Sequence, residues 1–254
     1  MRIGALSVTA LAMISMSSAG GVPTVWAQPA QSCPNVEVVF ARGTGEPPGV
    51  GPTGQAFINA LRLRTADQSL SVYPVSYPAT DQWGTGVDGI RDASAHIMST
   101  ATTCPQTKMV LSGYSQGAAV MGFVTSAAVP AGVDPATVPK PLDPAIAEHV
   151  AAVVLYAPPN IRAMNFLGEP PIVIGPEYEA KTLKVCAPED AVCSDGLNFA
   201  AHTSYTYDGI IDQGVDFAVN HLALKPTGNS PSPTNSPSPT MPDQWDRLPA
   251  TPTP

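Results

Sequence analysis

MVLSGYSQGAAVMGFVTSAA, residues 109–128, joins two patterns without a spacer. Met109–Gly113 is a short apolar run of strand length. Gln116–Ala128 is rich in Ala and Val and predicts a buried helix. Between them, Gly113-Tyr114-Ser115-Gln116-Gly117 is G-x-S-x-G. A sharp strand-to-helix turn projects the central hydroxyl above the sheet and needs small residues on either side. The helix N-terminus behind it carries a partial positive charge where an oxyanion would form. Ser115 is therefore the candidate nucleophile.

Outward from this unit, apolar runs alternate with helical stretches. Val36–Phe40, Ser71–Tyr77, Ala151–Tyr156 and Thr182–Cys186 read as strands, with Pro74 marking an edge position. Gln55–Arg64, Val87–Thr100 and Ile210–Leu222 have helical spacing. Strands alternating with helices predict βαβ units and an α/β domain, its parallel sheet covered on both faces. Binding sites in such sheets lie at the carboxyl ends of the strands.

The chain has 254 residues, 44% hydrophobic and only 13% charged, with a net charge of −8. Lysines and arginines are scattered. A nucleic-acid binder needs a positive field, so that class is excluded, as is attachment to anionic lipid through charge. The N-terminus combines Arg2, an apolar run to about Met16, small residues and Val25-Trp26-Ala27. This predicts a secretory signal over 1–27, cleaved after Ala27, and a secreted protein. Residues 226–254 hold nine of the 29 prolines among Ser and Thr and predict a disordered tail. Residues 28–225 remain as one domain, expected to be monomeric. In an exported chain Cys33, Cys104, Cys186 and Cys193 imply two disulfides, with three possible pairings. They lack the closely spaced Cys or His pairs of a zinc site, so no metal is expected.

A serine nucleophile needs a base. His96 precedes Ser115, His149 sits at the amino end of a strand, and His221 lies in the last helix. His202 lies in a loop between the last strand and the last helix, where an imidazole can reach Ser115. The acid should fall between that strand and His202. Asp190 ranks first, then Asp195, then Glu189, because a disulfide closing Cys186–Cys193 would hold Asp190 in place. The oxyanion hole needs a backbone N–H from Gln116 and one from the loop after the first strand, for which Thr44 is the choice. A dinucleotide loop there fails, because the third glycine position is Pro48.

The residues now resemble a known family. VEVVFARGTGEPPGVG (36–51), GYSQG (113–117), C-x3-D-x2-C (186–193) and His202 are similar to the cutinase family, in particular its secreted actinobacterial esterases. The likeness spans about residues 33–224. It implies a small three-layer α/β-hydrolase with a five-stranded parallel sheet, no lid, and Ser115, Asp190 and His202 as triad. It also implies Cys33–Cys104 and Cys186–Cys193 pairing. Thr44 stands where fungal members commonly have Ser. The expected activity is hydrolysis of short- to medium-chain carboxylic esters, with lipids or cutin-type polyesters as further substrates and no cofactor. Trp83, Leu197 and Phe199 are candidate substrate contacts. An acetylxylan-esterase-like deacetylase and a catalytically silent binding protein on the same scaffold are the rival readings.

Overall fold

A computed structural model describes residues 32–207 and 209–223. The expected signal segment and the proline-rich tail lie outside the described residues. Five strands form one all-parallel sheet: β1 (Val36–Ala41), β2 (Leu70–Pro74), β3 (Lys108–Tyr114), β4 (Val150–Tyr156) and β5 (Thr182–Val185). Their order is β2-β1-β3-β4-β5. The order reverses between β1 and β3, so the crossovers leave in opposite directions there and a crevice opens at the carboxyl ends. Thr44 follows β1 and Ser115 follows β3, which puts both at that crevice.

Strand alternation divides the core into two layers. Val36, Val38 and Phe40 of β1 face a cluster with Phe57 and Leu61 of α1 (Gly51–Arg64) and Val215 and Ala218 of α7 (Ile210–Leu222). Val39 and Ala41 face the other cluster, with Ala93 and Ile97 of α2 (Gly86–Thr103) and Val120 and Met121 of α3 (Gln116–Val124). The central strands are buried along almost their whole length, which explains their near-continuous apolar sequence. β2 is an edge strand and only half-buried. Among the described residues no helix is long and apolar enough to cross a membrane.

Several boundaries differ from the sequence pattern for local reasons. β2 ends at Pro74, not Tyr77. Beyond it the Ser76 N–H donates to Asp92, and the buried Arg42 guanidinium takes the Tyr77 carbonyl. α3 stops at Val124 because Thr125 turns its hydroxyl back on the Met121 carbonyl, and its own carbonyl accepts the Gly175 N–H. His202 ends a four-residue helix, α6 (Phe199–His202), rather than lying in irregular loop; the Asn198 side chain caps it by accepting from Ala200 and Ala201. Two helices between β4 and β5, α4 (Ile161–Leu167) and α5 (Pro176–Glu179), had no counterpart in the sequence reading. For α4 the signal was present: Asn160 caps its start and Gly168 closes it in the left-handed conformation.

Candidate active site

Ser115 sits at the junction of β3 and α3 with φ 54° and ψ −116°, a backbone state that costs energy in any residue but glycine. Its neighbours explain why the turn is spelled G-x-S-x-G. A Cβ on Gly113 would lie 2.3 Å from the Gly117 carbonyl oxygen, and one on Gly117 would lie 2.0 Å from the Ala41 carbonyl oxygen. The first turn of α3 therefore packs directly on the end of β1. The Ser115 N–H is anchored to the Tyr156 carbonyl at 2.9 Å, tying the turn to β4.

Three side chains from three segments converge here. Ser115 Oγ lies 2.9 Å from His202 Nε2, and His202 Nδ1 lies 2.9 Å from Asp190 Oδ2. Asp190 is fully buried. Its Oδ1 also accepts the Val192 N–H at 2.8 Å, and its Oδ2 accepts the Tyr205 hydroxyl at 2.8 Å. Burial alone would raise the Asp190 pKa. The hydrogen bonds from His202, Val192 and Tyr205 outweigh it and hold the carboxyl below its ordinary value. Asp195 and Glu189 are exposed and make no hydrogen bond to His202 among the described residues. Cys186–Cys193 closes the loop around Asp190, with Cα atoms 5.8 Å apart, and Cys33–Cys104 joins the start of the domain to the end of α2 at 5.5 Å. Among the described residues the group of metal-ligand types that come close together is Cys186, Asp190 and Cys193, and both sulfurs are spent in the disulfide.

The other histidines are engaged elsewhere. His96 Nε2 lies 3.0 Å from Glu37 of β1, His149 Nδ1 lies 3.1 Å from the Pro105 carbonyl, and His221 packs on Phe217.

The loop after β1 is held open in one shape. Arg42 is buried and donates to the carbonyls of Glu46 (2.8 Å), Tyr77 (2.6 Å) and Pro78 (3.3 Å). The Gly43 N–H donates to the Glu46 carboxylate at 2.7 Å and the Gly45 N–H to the Ala79 carbonyl at 2.7 Å. The Thr44 N–H between them has no protein acceptor among the described residues. The Gln116 N–H opens α3 and has no intrahelical partner either. Both N–H groups are thus free to donate, one in the loop after β1 and the other directly after Ser115. Trp83, in a 3-10 turn (Trp83–Thr85), shares an apolar cavity with Gln116. Leu197 and Phe199 do not line that cavity; they stand 80% and 73% exposed near His202.

A family profile described as cutinase matches residues 32–222. The chain belongs to the cutinase family. Culp5 of Mycobacterium tuberculosis, described as a "probable carboxylesterase", is 52% identical over 166 residues, 65% of this chain and 95% of its own. Carboxylesterase Culp1 of the same organism is 40% identical over 223 residues, 87% of this chain and 94% of its own. A solved acetylxylan esterase superposes with a TM-score of 0.62 at 25% identity, covering 75% of this chain and all of that one. The chain has the α/β-hydrolase-like fold of that family, a parallel sheet between helical layers, and is a carboxylic ester hydrolase.

Tyr205 and Arg42 were missed in the sequence. Tyr205 is 1% exposed, donates to Asp190 and accepts the Ala187 N–H at 2.9 Å. Only its position three residues after His202 could have pointed to it. Tyr114, the first x of the motif, stacks beside the imidazole with ring centroids 5.4 Å apart and donates its hydroxyl to the His202 carbonyl.

Proposed function

We propose that the protein is a secreted serine esterase acting on short- to medium-chain carboxylic esters through Ser115, His202 and Asp190. The observation that carries this is the unbroken line of hydrogen bonds from Ser115 Oγ through His202 to a buried carboxylate. Ser115 Oγ attacks the ester carbonyl while His202 Nε2 takes its proton. The oxyanion is held by the N–H groups of Thr44 and Gln116. Collapse of the tetrahedral adduct expels the alkoxide, which takes the proton from His202, and an acyl-enzyme forms. Water, deprotonated by His202, then attacks the acyl carbon, and its collapse releases the acid and restores Ser115. Asp190 keeps the imidazole in one tautomer and stabilises the imidazolium.

Two disulfides in the described domain support export into an oxidising compartment. The likeness to an acetylxylan esterase supports a second reading, removal of acetyl groups alone, which a chain-length series separates from the first. The central test is Ser115→Ala. Turnover of a chromogenic ester should fall on the order of 10⁴-fold or more, with the melting temperature kept. Labelling by a fluorophosphonate should disappear with it. A folded variant retaining a tenth of the turnover would overturn the assignment.

A further inference from the structure

Four consecutive carbonyls after β2 accept hydrogen bonds from the two segments that carry the oxyanion donors. Tyr77 and Pro78 accept from the Arg42 guanidinium at 2.6 and 3.3 Å. Ala79 accepts the Gly45 N–H at 2.7 Å, and Thr80 accepts the Gln116 side-chain Nε2 at 2.9 Å. Ala79 is buried with φ 52°, a left-handed state that costs energy in alanine and persists only where its surroundings fix it. It stands at the corner between a tie to the loop after β1 and a tie to α3.

The two donors are anchored unequally. The Gln116 N–H opens α3, whose first turn packs on the backbone of Ala41 and Arg42. A Cβ on Gly117 would lie 2.0 Å from the Ala41 carbonyl oxygen and 2.5 Å from that of Arg42. The Thr44 N–H sits at the exposed tip of its loop. On one side of it, Gly43 is tied within the loop, to Glu46; on the other, Gly45 is tied outward, to Ala79. The spacing between the two donors therefore depends on residues 77–80. The Gln116 carboxamide closes that path by fixing Thr80 to α3. Its Oε1 is buried and has no hydrogen-bond partner among the described residues, so Thr80 is the polar tie of this side chain there. A buried acceptor left unpaired costs stability, and an apolar side chain of the same length would avoid that cost. Folding alone does not call for an amide at this position.

We propose that the Gln116 side chain is a positioning group of the oxyanion hole. By donating to the Thr80 carbonyl it holds the Ala79–Thr80 backbone, and through Gly45 the Thr44 N–H, at the spacing from its own N–H that a tetrahedral oxyanion needs. This rests on the reading of Ser115, Thr44 and Gln116 given above. The effect is greatest where charge sits on the substrate oxygen, so it belongs in kcat rather than KM.

The test is kcat and KM on p-nitrophenyl acetate for the wild type, Gln116→Met and Gln116→Glu, each per serine titrated with a fluorophosphonate. Methionine keeps the length and loses the donor. Removing an oxyanion donor outright costs about 10²–10³-fold in kcat, so loosening one should cost about tenfold. KM should stay within about threefold and the melting temperature within about 4 °C. Glutamate restores the donor only when protonated, and burial raises its pKa. At about pH 5 its kcat should return to within about threefold of the wild type at the same pH, and by about pH 8 it should fall to the methionine value or below. A methionine variant with wild-type kcat, or a glutamate variant no better than methionine at about pH 5, would overturn the proposal. So would a methionine variant that does not fold, since the carboxamide would then be structural. A wild type that takes no label sinks the Ser115 reading instead, which keeps the two failures apart.

Discussion

Tyr205→Phe removes one oxygen and, with it, two hydrogen bonds at the base of the site. The hydroxyl donates to Asp190 Oδ2 at 2.8 Å and accepts the Ala187 N–H at 2.9 Å, and all of these groups are buried. A hydrogen bond to a charged group contributes about 1.5–3 kcal/mol, and a buried N–H left unpaired costs about 1 kcal/mol or more. The variant should lose about 2–4 kcal/mol at neutral pH, or about 5–15 °C in melting temperature for a domain of this size. The loss depends on pH in a definite direction. The folded Asp190 carboxyl is held below its ordinary value, so its hydrogen bonds stabilise fully above the ordinary carboxylate pKa, about 4. That stability is lost as pH falls through the lowered folded value. The gap between wild type and Tyr205→Phe should therefore shrink below about pH 4. Activity should move as well. With one donor fewer, the Asp190 charge acts more strongly on the imidazolium of His202, so the acidic limb of the pH–rate profile should shift upward. Thermal unfolding at several pH values and a kcat/KM profile test both. An equal stability loss at every pH with an unmoved limb would mean that Tyr205 is packing only.

The three acids separate in one series. Asp190→Asn should cut turnover heavily and move the acidic limb down, the opposite sign to Tyr205→Phe, whereas Asp195→Asn and Glu189→Gln should leave turnover within about threefold, since neither touches His202. Activity lost in Asp195→Asn but kept in Asp190→Asn would refute the assignment. Removing Cys33–Cys104, with a sequence separation of 71, should cost about 4 kcal/mol, and removing Cys186–Cys193, with a separation of 7, about 2.5 kcal/mol by chain entropy. The shorter bridge should nonetheless cost more activity, because Asp190 lies inside its loop; equal activity losses in Cys→Ala pairs at matched fraction folded would contradict this.

What the sequence made legible was local or chemically narrow. The β3–α3 turn is written in glycines that allow no substitute: a Cβ on Gly113 or Gly117 would lie 2.3 or 2.0 Å from a backbone oxygen, so the pattern records a steric fact. β1, β3 and β4 are buried on both faces, and their apolar runs stand out for that reason. His202 could be singled out because only four histidines compete. Arg42 and Tyr205 were hidden because each works through backbone carbonyls, a backbone N–H or a carboxylate supplied by distant segments. No spacing rule links Arg42 to Tyr77, or Asp190 to the ring that braces it.

The cavity beside α3 was hidden for a different reason. Its α3 wall reads as ordinary core, because Val120 and Val124 are buried residues on a helix that is apolar nearly all round. A helix of that kind is expected to be enclosed by protein on every side. Here Gln116, Val120, Phe123 and Val124 line a cavity whose other walls include Val133 and Val138 of the segment after α3 and Met164 of α4. Whether an apolar stripe meets a neighbour or a void depends on where the following chain goes, and residues 129–149 carry turns and one 3-10 stretch (Pro144–His149) rather than a periodic pattern. The Ser115 turn is thus encoded in five consecutive residues, while the walls of this cavity are spread over α2, α3 and the segment that follows.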